Sequence, residues 1–140
     1  VLPDAAQAEA LFAPLLAAPL LALAAPIYFY HLPAQAKAFI DRSQPWYERR
    51  EAREAAMLAL PPRLAVPLLV AGRPRGERLF EGTLLTLKYF LKPFNVSLGE
   101  AVELRGYDGP GDLARDEAAL LRLRVAGETA WREAVQAGRG

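Results

Sequence analysis

Four side chains able to bind a planar ring follow one another in the chain, at Tyr28, Phe29, Tyr30 and His31. They come directly after an uncharged apolar run, residues 20–25, which is typical of a strand covered on both faces. Aromatic faces can stack on a planar cofactor, and the start of a helix can stabilise negative charge on its ring. The same aromatic residues can equally cover the end of a hydrophobic core, and a lone His among them is more often packed than a proton donor.

Two more loops follow predicted strands and therefore lie where ligands bind in open parallel α/β sheets, at residues 71–76 and 105–111. Asp41 and Arg42 are interpreted as helix-end or subunit contacts rather than a catalytic pair. The sequence shows no nucleophile–base arrangement and no metal-ligand spacing. Its lack of Cys excludes disulfides, thiolate metal sites and an iron–sulfur cluster on this chain.

Apolar periodicity predicts strands that alternate with helices along the chain. Three strands are predicted, at residues 20–25, 64–70 and 96–104, the last nearest an edge because it is the least apolar. The predicted helices are residues 4–16, 32–43, 48–58, 77–94 and 112–137, with a break at residues 45–47. This alternation implies parallel pairing, right-handed crossovers and a layered α/β sandwich.

Caps and prolines set the expected boundaries of these elements. Asp4 and Gln7 have the spacing of a capping box at the first helix, and Pro14 is expected to kink or end that helix. Pro33 suits the first position of the second helix, where its missing N–H costs nothing. Pro67 is awkward inside a central strand, because the ladder needs the N–H that proline lacks.

Composition predicts one globular domain over residues 1–140, since 53% of the residues are hydrophobic and 24% are charged. The net charge of +1 indicates neither nucleic-acid nor membrane-surface binding, which usually need a clustered positive field. No apolar run approaches a membrane span, and no signal peptide is visible, so a cytoplasmic location is the default expectation. The bias of 14 Arg to 3 Lys, with 12 Pro, is equally compatible with a thermophile and with a GC-rich genome.

Residues 26–42 carry the pattern Pro-Ile-Tyr-Phe followed by Ala-Gln-x-Lys-Ala-Phe-Ile-Asp-Arg. This pattern resembles the flavin-side loop of flavodoxin-like flavoproteins, the group of NAD(P)H-dependent FMN reductases and their iron–sulfur flavoprotein relatives. Residues 83–91 resemble the family's helix after the second flavin loop, and residues 106–112 resemble its last loop before the C-terminal helix. The three segments occur in the family's order and together cover nearly the whole chain.

The resemblance implies a flavodoxin-like three-layer sandwich with a parallel sheet. It also implies bound FMN and hydride transfer from NAD(P)H to a small-molecule acceptor such as a flavin or a quinone. Carried over by position, the residues that would contact the isoalloxazine are Pro26, Tyr28, Phe29, Tyr30, His31 and Leu32. Ala71, Gly72 and Arg73 would lie along its pyrimidine side. No residue is implied as catalytic, because the flavin supplies the hydride chemistry.

One departure from the family is large. The family fold begins with a strand, a Gly/Ser/Thr-rich phosphate loop, a helix and a second strand, whereas a single predicted helix precedes residue 20 here. We therefore expect an N-terminally truncated fold, with weak or no FMN binding by this chain alone. The alternative is a truncated, flavin-free α/β interaction module without catalytic activity. In both cases the edge of residues 20–25 would be bare, which predicts a homo-oligomer.

Overall fold

The computed structural model describes residues 5–137. In chain order its first elements are α1 (Ala5–Ala17), β1 (Leu20–Pro26), α2 (Ala34–Asp41), α3 (Gln44–Glu51), α4 (Ala55–Leu58) and β2 (Arg63–Ala71). They are followed by α5 (Glu81–Leu91), β3 (Val96–Leu98), β4 (Val102–Arg105) and α6 (Glu117–Ala137). All pairs in the four-stranded sheet are parallel, so the predicted α/β class is confirmed.

β2 is the central strand of the sheet. β1 pairs along one side of it, from Leu20 opposite Leu64 to Pro26 opposite Val70. β3 and β4 share the other side, with β3 beside the start of β2 and β4 beside its end. The prediction of one continuous strand over residues 96–104 is therefore wrong, because two strands separated by residues 99–101 occupy that segment.

Pro67 explains why that segment is split. The register places residues 66 and 67 of β2 opposite residues 99–101, so two residues face three, as in a bulge. Odd-numbered residues of β2 direct their backbone groups to this side, as the 2.8 Å bond from the Gly99 N–H to the Ala65 carbonyl shows. The nitrogen of Pro67, which has no hydrogen, thus faces the interruption. A proline is tolerated in this central strand because no ladder bond is made there.

One face of the sheet carries the main hydrophobic core, which α1, α2, α3 and α5 enclose. Its centre is a group of aromatic rings. Phe12 of α1 stacks on Phe39 with 4.6 Å between ring centroids and on Phe94 with 5.9 Å. Trp46 of α3 lies 4.2 Å from Phe12 and is 3% exposed. These rings thus bring α1, α2, α3 and the residues just after α5 together in one packed layer.

Within the described part of the chain, the opposite face is covered by α6 and by Tyr107 and Leu113, which precede it. Ala119 of α6 is buried in one cluster with Leu104 of β4. The side chains of β1 alternate between the two faces, and Leu23 packs against the main core. Ala22 and Ala24 therefore face the α6 side, where both are exposed. The sheet is layered as predicted, and no side chain of residues 5–137 buries Ala22 or Ala24 on its α6 face.

Arg63, the first residue of β2, connects the C-terminal end of α1 to the sheet through hydrogen bonds. Its guanidinium donates hydrogen bonds to the carbonyls of Leu15, Leu16 and Ala18 at 2.7, 2.9 and 3.0 Å. A further bond of 2.8 Å goes to the carbonyl of Phe94. Burial lowers the pKa of Arg63 from its ordinary value. The side chain thus satisfies terminal carbonyls that a helix leaves without partners.

Two helices begin later than predicted because turns precede them. α5 begins at Glu81 rather than at residue 77, since Arg78 has a φ of 55°, outside the helical region. Its C-terminal end continues into a 3-10 turn, Lys92–Phe94. α6 begins at Glu117 rather than at residue 112, after a 3-10 turn at Leu113–Arg115.

The remaining differences from the predicted helices lie near prolines and at Arg53, whose φ of 58° falls between α3 and α4. The predicted break after the second helix lies at residues 42–43 rather than at residues 45–47, because Pro45 lies in the first turn of α3, where its missing N–H is harmless. The helix predicted over residues 48–58 is divided between α3 and α4. Pro33 directly precedes α2, and α1 continues past Pro14. The predicted cap Asp4 lies outside the described residues. Among residues 5–137, no helix is long and apolar enough to cross a membrane.

Candidate functional site at the carboxyl edge of the sheet

Residues 28–31 form a two-residue hairpin turn just beyond β1. The N–H of Tyr28 donates to the His31 carbonyl at 2.9 Å, and the N–H of His31 donates back to the Tyr28 carbonyl at 3.0 Å. Phe29 and Tyr30 at the tip have φ values of 50° and 68°, as in a type I′ turn. Non-glycine residues held there cost roughly 1–3 kcal/mol each, and such strain is concentrated at functional sites.

The strained turn directs its rings outward. Phe29 is 102% exposed and Tyr28 is 60% exposed. Ile27 and Leu32 on either side are buried, so they anchor the turn in the protein interior. The side chain of Leu32 packs in the main core and that of Pro26 is exposed at the end of β1. Of the predicted ring-contacting aromatic residues, Phe29 is therefore the most accessible and Tyr28 the next.

His31 ties the turn to α5. Its Nδ1 accepts the N–H of Leu32 at 2.9 Å, so the ring proton lies on Nε2. Nε2 lies 3.0 Å from Oγ1 of Thr86 and donates a hydrogen bond to it. Both ring nitrogens are thus engaged within the protein. This arrangement gives His31 a positioning role in the turn and leaves no ring nitrogen directed at the crevice.

The second predicted loop lies directly beside the turn. Nη1 of Arg73 donates to the hydroxyl of Tyr30 at 3.2 Å, and its guanidinium lies 5.8 Å from the centroid of that ring. A Cβ added to Gly76 would be 3.3 Å from the same hydroxyl. The structure thus brings together Tyr30 and Arg73, which are 43 residues apart in the sequence.

The third loop, residues 105–111, lies against Gly72 of the second loop, residues 71–76. A Cβ added to Gly72 would be 2.6 Å from Oδ1 of Asp108, so a side chain at position 72 would require the exposed side chain of Asp108 to move. Arg105, at the end of β4, donates to the carbonyl of Gly76 at 2.9 Å and lies 4.8 Å from the centroid of the Phe80 ring. Arg105 therefore holds the second loop against the third. Its role was not predicted, because its partners are far away in the sequence.

Two carboxylates shape the third loop. Asp112 accepts the N–H groups of Gly109 and Asp108 at 2.7 and 3.2 Å and pairs with Arg115 at 2.7 Å. The backbone bond from Gly109 is the main reason that the pKa of Asp112 is lowered. The loop is thus held by an ionised carboxylate at neutral pH.

Asp116 plays the same part at the start of α6. It accepts the N–H of Ala119 at 2.9 Å and the hydroxyl of Tyr107 at 2.7 Å. These bonds, first the one from Ala119, lower the pKa of Asp116. The bond to Asp116 is also the main reason that the pKa of Tyr107 is raised. Together the two carboxylates fix the third loop where it borders Gly72.

The surface that these three loops form has parts that suit the ring of a flavin. It offers an exposed face of Phe29, and it places the cation of Arg73 beside Tyr30. Within residues 5–137, no hydrogen bond uses the N–H of Phe29 or Tyr30, so both remain available to ring oxygens. Neither bordering glycine loop, residues 72–76 or 106–112, contains Ser or Thr to cradle a phosphate. The described residues therefore fit the ring of a flavin better than its phosphate.

No group of His, Asp and Glu suited to holding a metal ion occurs in the part of the chain that the structure describes. The positively charged side chains with contacts among these loops are Arg73 and Arg105. The site therefore offers stacking surfaces, backbone donors and arginine cations as its binding groups. These groups can bind and orient a planar anionic ring, but they include no side chain placed to act as a nucleophile.

Comparison with known proteins supports the fold. No protein-family model and no curated protein sequence matches the chain. Among solved structures, it is similar to the Trp repressor binding protein from Bacillus subtilis, with a TM-score of 0.61 and 21% identity over 84% of this chain and 70% of that one. It is similar to a flavodoxin, WrbA-like protein from Agrobacterium tumefaciens, with a TM-score of 0.60 and 21% identity over 89% and 71% of the two chains.

A third similar structure is a flavone reductase, with a TM-score of 0.69 and 12% identity. The match covers 96% of this chain and 48% of the flavone reductase, so the chain spans about half of that protein. At these identities the likeness shows the fold, a flavodoxin-like α/β arrangement around a parallel sheet. The flavodoxin-like fold class implied by residues 26–42 is thereby confirmed.

Proposed function

We propose that this chain supplies the ring-binding side of an FMN site in an NAD(P)H-dependent oxidoreductase. The observation that carries the proposal is the strained turn of residues 28–31, which exposes the ring of Phe29 and holds Tyr30 against Arg73 at the carboxyl edge of a parallel sheet. The proposed reaction is hydride transfer from NAD(P)H to a small-molecule acceptor such as a flavin or a quinone. Neither a nucleic acid nor a membrane is proposed as a partner.

The residues of the turn and Arg73 each have a defined part in this proposal. Phe29 and Tyr30 provide the stacking surface with Tyr28 beside them, and the N–H groups of the turn meet the ring oxygens. Arg73 places positive charge beside the ring, which favours its anionic form. His31 keeps the turn in place through Thr86. Bound flavin would supply the hydride chemistry itself.

The direct test is a fluorescence titration of the 140-residue chain with FMN and with riboflavin, which has the same ring and no phosphate. We expect weak binding and similar affinities for the two, because the described site contacts the ring. Tight stoichiometric FMN binding together with no riboflavin binding would contradict this expectation, since it would require a phosphate site that residues 5–137 do not show.

The role of the turn is tested by substitution. Tyr30→Ala is expected to weaken riboflavin binding by up to about tenfold, since one aromatic pair contributes about 0.5–1.5 kcal/mol and 1.4 kcal/mol is a factor of ten. Phe29→Gly is expected to weaken it similarly without lowering the free energy of unfolding by more than about 1 kcal/mol, because glycine accepts the positive φ without strain. His31→Ala is expected to have a smaller effect on binding.

Tyr89→Ala is the matched control, because Tyr89 is 59% exposed on α5 and Tyr28 is 60% exposed in the turn. Tyr28→Ala should weaken binding, and the control should leave it unchanged. Unchanged affinity in both Tyr28→Ala and Tyr30→Ala would refute a flavin site at this turn.

The alternative function is a flavin-free α/β interaction module. The observation that favours it is the apolar strand β1, which has no partner on its outer side within residues 5–137. Absence of any quenching by riboflavin or FMN, with self-association still present, would support this alternative over the oxidoreductase.

A further inference from the structure

The carboxylate of Asp108, in the third loop, lies against the backbone of the second loop. Oδ1 of Asp108 is the nearest heavy atom to a Cβ built on Gly72, at 2.6 Å, and the carboxyl carbon follows at 3.0 Å. Asp108 is exposed, and no hydrogen bond or ion pair within residues 5–137 uses its carboxylate. Asp112 and Asp116 hold the loop together, whereas the carboxylate of Asp108 is left to meet a ligand.

The backbone of the third loop fixes where this carboxylate lies. The N–H groups of Gly106 and Tyr107 donate to the carbonyl of Ala71 at 2.8 and 3.2 Å. The N–H of Asp108 itself donates to Oδ2 of Asp112 at 3.2 Å. Because Ala71 begins the second loop, the first two bonds tie the backbone next to Asp108 to that loop. The carboxylate is therefore held beside the second loop before any ligand binds.

Opposite charges lie on the two sides of Gly72. Arg73, the next residue along the chain, directs its guanidinium to Tyr30 and donates to its hydroxyl at 3.2 Å. Asp108 belongs to the other loop, and the side chains of Arg73 and Asp108 form no ion pair with each other. The surface thus presents donors at Arg73 and at the N–H groups of residues 29 and 30, and an acceptor at Asp108. A ring edge that carries both acceptors and a donor complements this arrangement.

We propose that Asp108 is a specificity-determining residue, which accepts a hydrogen bond from the N3–H group of a bound flavin ring. The inference rests on the proposed flavin site. The pyrimidine edge of an oxidised flavin has a single N–H, at N3, with a carbonyl on either side of it. An ionised carboxylate only accepts hydrogen bonds, so it selects the N–H, while the donors of Arg73 and of the turn suit the two carbonyls. A charge-assisted bond of this kind is stronger than a neutral one.

The test compares riboflavin with 3-methylriboflavin, in which a methyl group replaces the hydrogen on N3 and the rest of the ring is unchanged. Fluorescence titration of the 140-residue chain is expected to show that riboflavin binds about tenfold more tightly, the low end for a hydrogen bond to a charged group. In Asp108→Ala the two ligands should bind with similar affinity, and the loss should fall on riboflavin.

Glu77→Ala is the matched control, because it also removes one exposed carboxylate near the second loop. No hydrogen bond or ion pair within residues 5–137 uses the carboxylate of Glu77. This variant should keep the preference for riboflavin, and circular dichroism confirms that both variants are folded. A preference lost equally in Glu77→Ala would indicate a general effect of charge and would overturn the proposal.

Three further results would overturn the assignment of Asp108 while leaving the flavin site intact. The first is equal affinity of the wild-type chain for the two ligands, and the second is a preference that persists in Asp108→Ala. The third is a preference that disappears because 3-methylriboflavin binds more tightly, which would indicate steric exclusion rather than a hydrogen bond. Absence of any riboflavin binding by the wild-type chain would instead refute the flavin site, and this inference with it.

Discussion

Phe12→Ala is expected to lower the free energy of unfolding by about 3–5 kcal/mol, the range for truncating a buried phenylalanine. Phe12 is 0% exposed and contacts three other rings, those of Phe39, Trp46 and Phe94. These rings belong to different elements, so they cannot all move inward to fill the space. The substitution therefore removes both the transfer free energy of the ring and the packing contacts around it.

Urea unfolding followed by tryptophan fluorescence measures this loss, because Trp46 is buried beside Phe12 and reports on the same cluster. Leu11→Ala is the control, since Leu11 is the neighbouring residue of α1 and is 46% exposed. It should cost less than about 1 kcal/mol. Equal destabilisation by the two substitutions would contradict the packing of α1 on the sheet.

Arg63→Met is expected to lower the free energy of unfolding by about 2–4 kcal/mol. Hydrogen bonds from a charged group contribute about 1.5–3 kcal/mol each, but they are not additive, and burying the guanidinium has a cost that methionine avoids. The carbonyls of Leu15, Leu16 and Ala18 would lose their donor, so α1 should fray at its end. Arg63→Lys should recover little, because one ammonium cannot span these acceptors.

Urea unfolding gives the stability, and amide hydrogen exchange shows where it is lost. Arg124→Met is the control, because Arg124 is exposed on α6. Faster exchange in the last turn of α1 is expected for Arg63→Met and not for the control. An exchange rate that rises evenly over the whole protein in Arg63→Met would show that Arg63 does not stabilise α1 in particular.

The strands were predictable because their signal is local. The uncharged apolar runs at residues 20–25 and 64–70 are typical of buried strands, and the helices predicted between them imply parallel pairing. The split of the third strand was not predicted, since it depends on which side of β2 the nitrogen of Pro67 faces. The awkward position of Pro67 was nevertheless visible in the sequence, and it marks the strand position at which the partner is interrupted.

The site was only partly predictable. The order of strands and loops places residues 28–31 beside Arg73, and the structure shows that contact. The positive φ values of Phe29 and Tyr30 carry no sequence signal, because such positions usually hold Gly or Asn. The role of Arg105 depends on contacts between residues far apart in the chain, which no local pattern encodes.

The interruption opposite Pro67 divides the hydrogen-bond ladder on that side of β2 into two short ladders. The first ladder is formed by β3. The second is formed by β4, which leads into the loop of residues 106–112 beside the candidate site. No bond crosses the gap, so the second ladder can open while the first stays closed, and the two have separate opening free energies. The amides of Gly99 and Gly106, each bonded to β2 at 2.8 Å, report on the two ladders. A ligand held between the three loops would slow exchange at Gly106 and leave Gly99 unchanged.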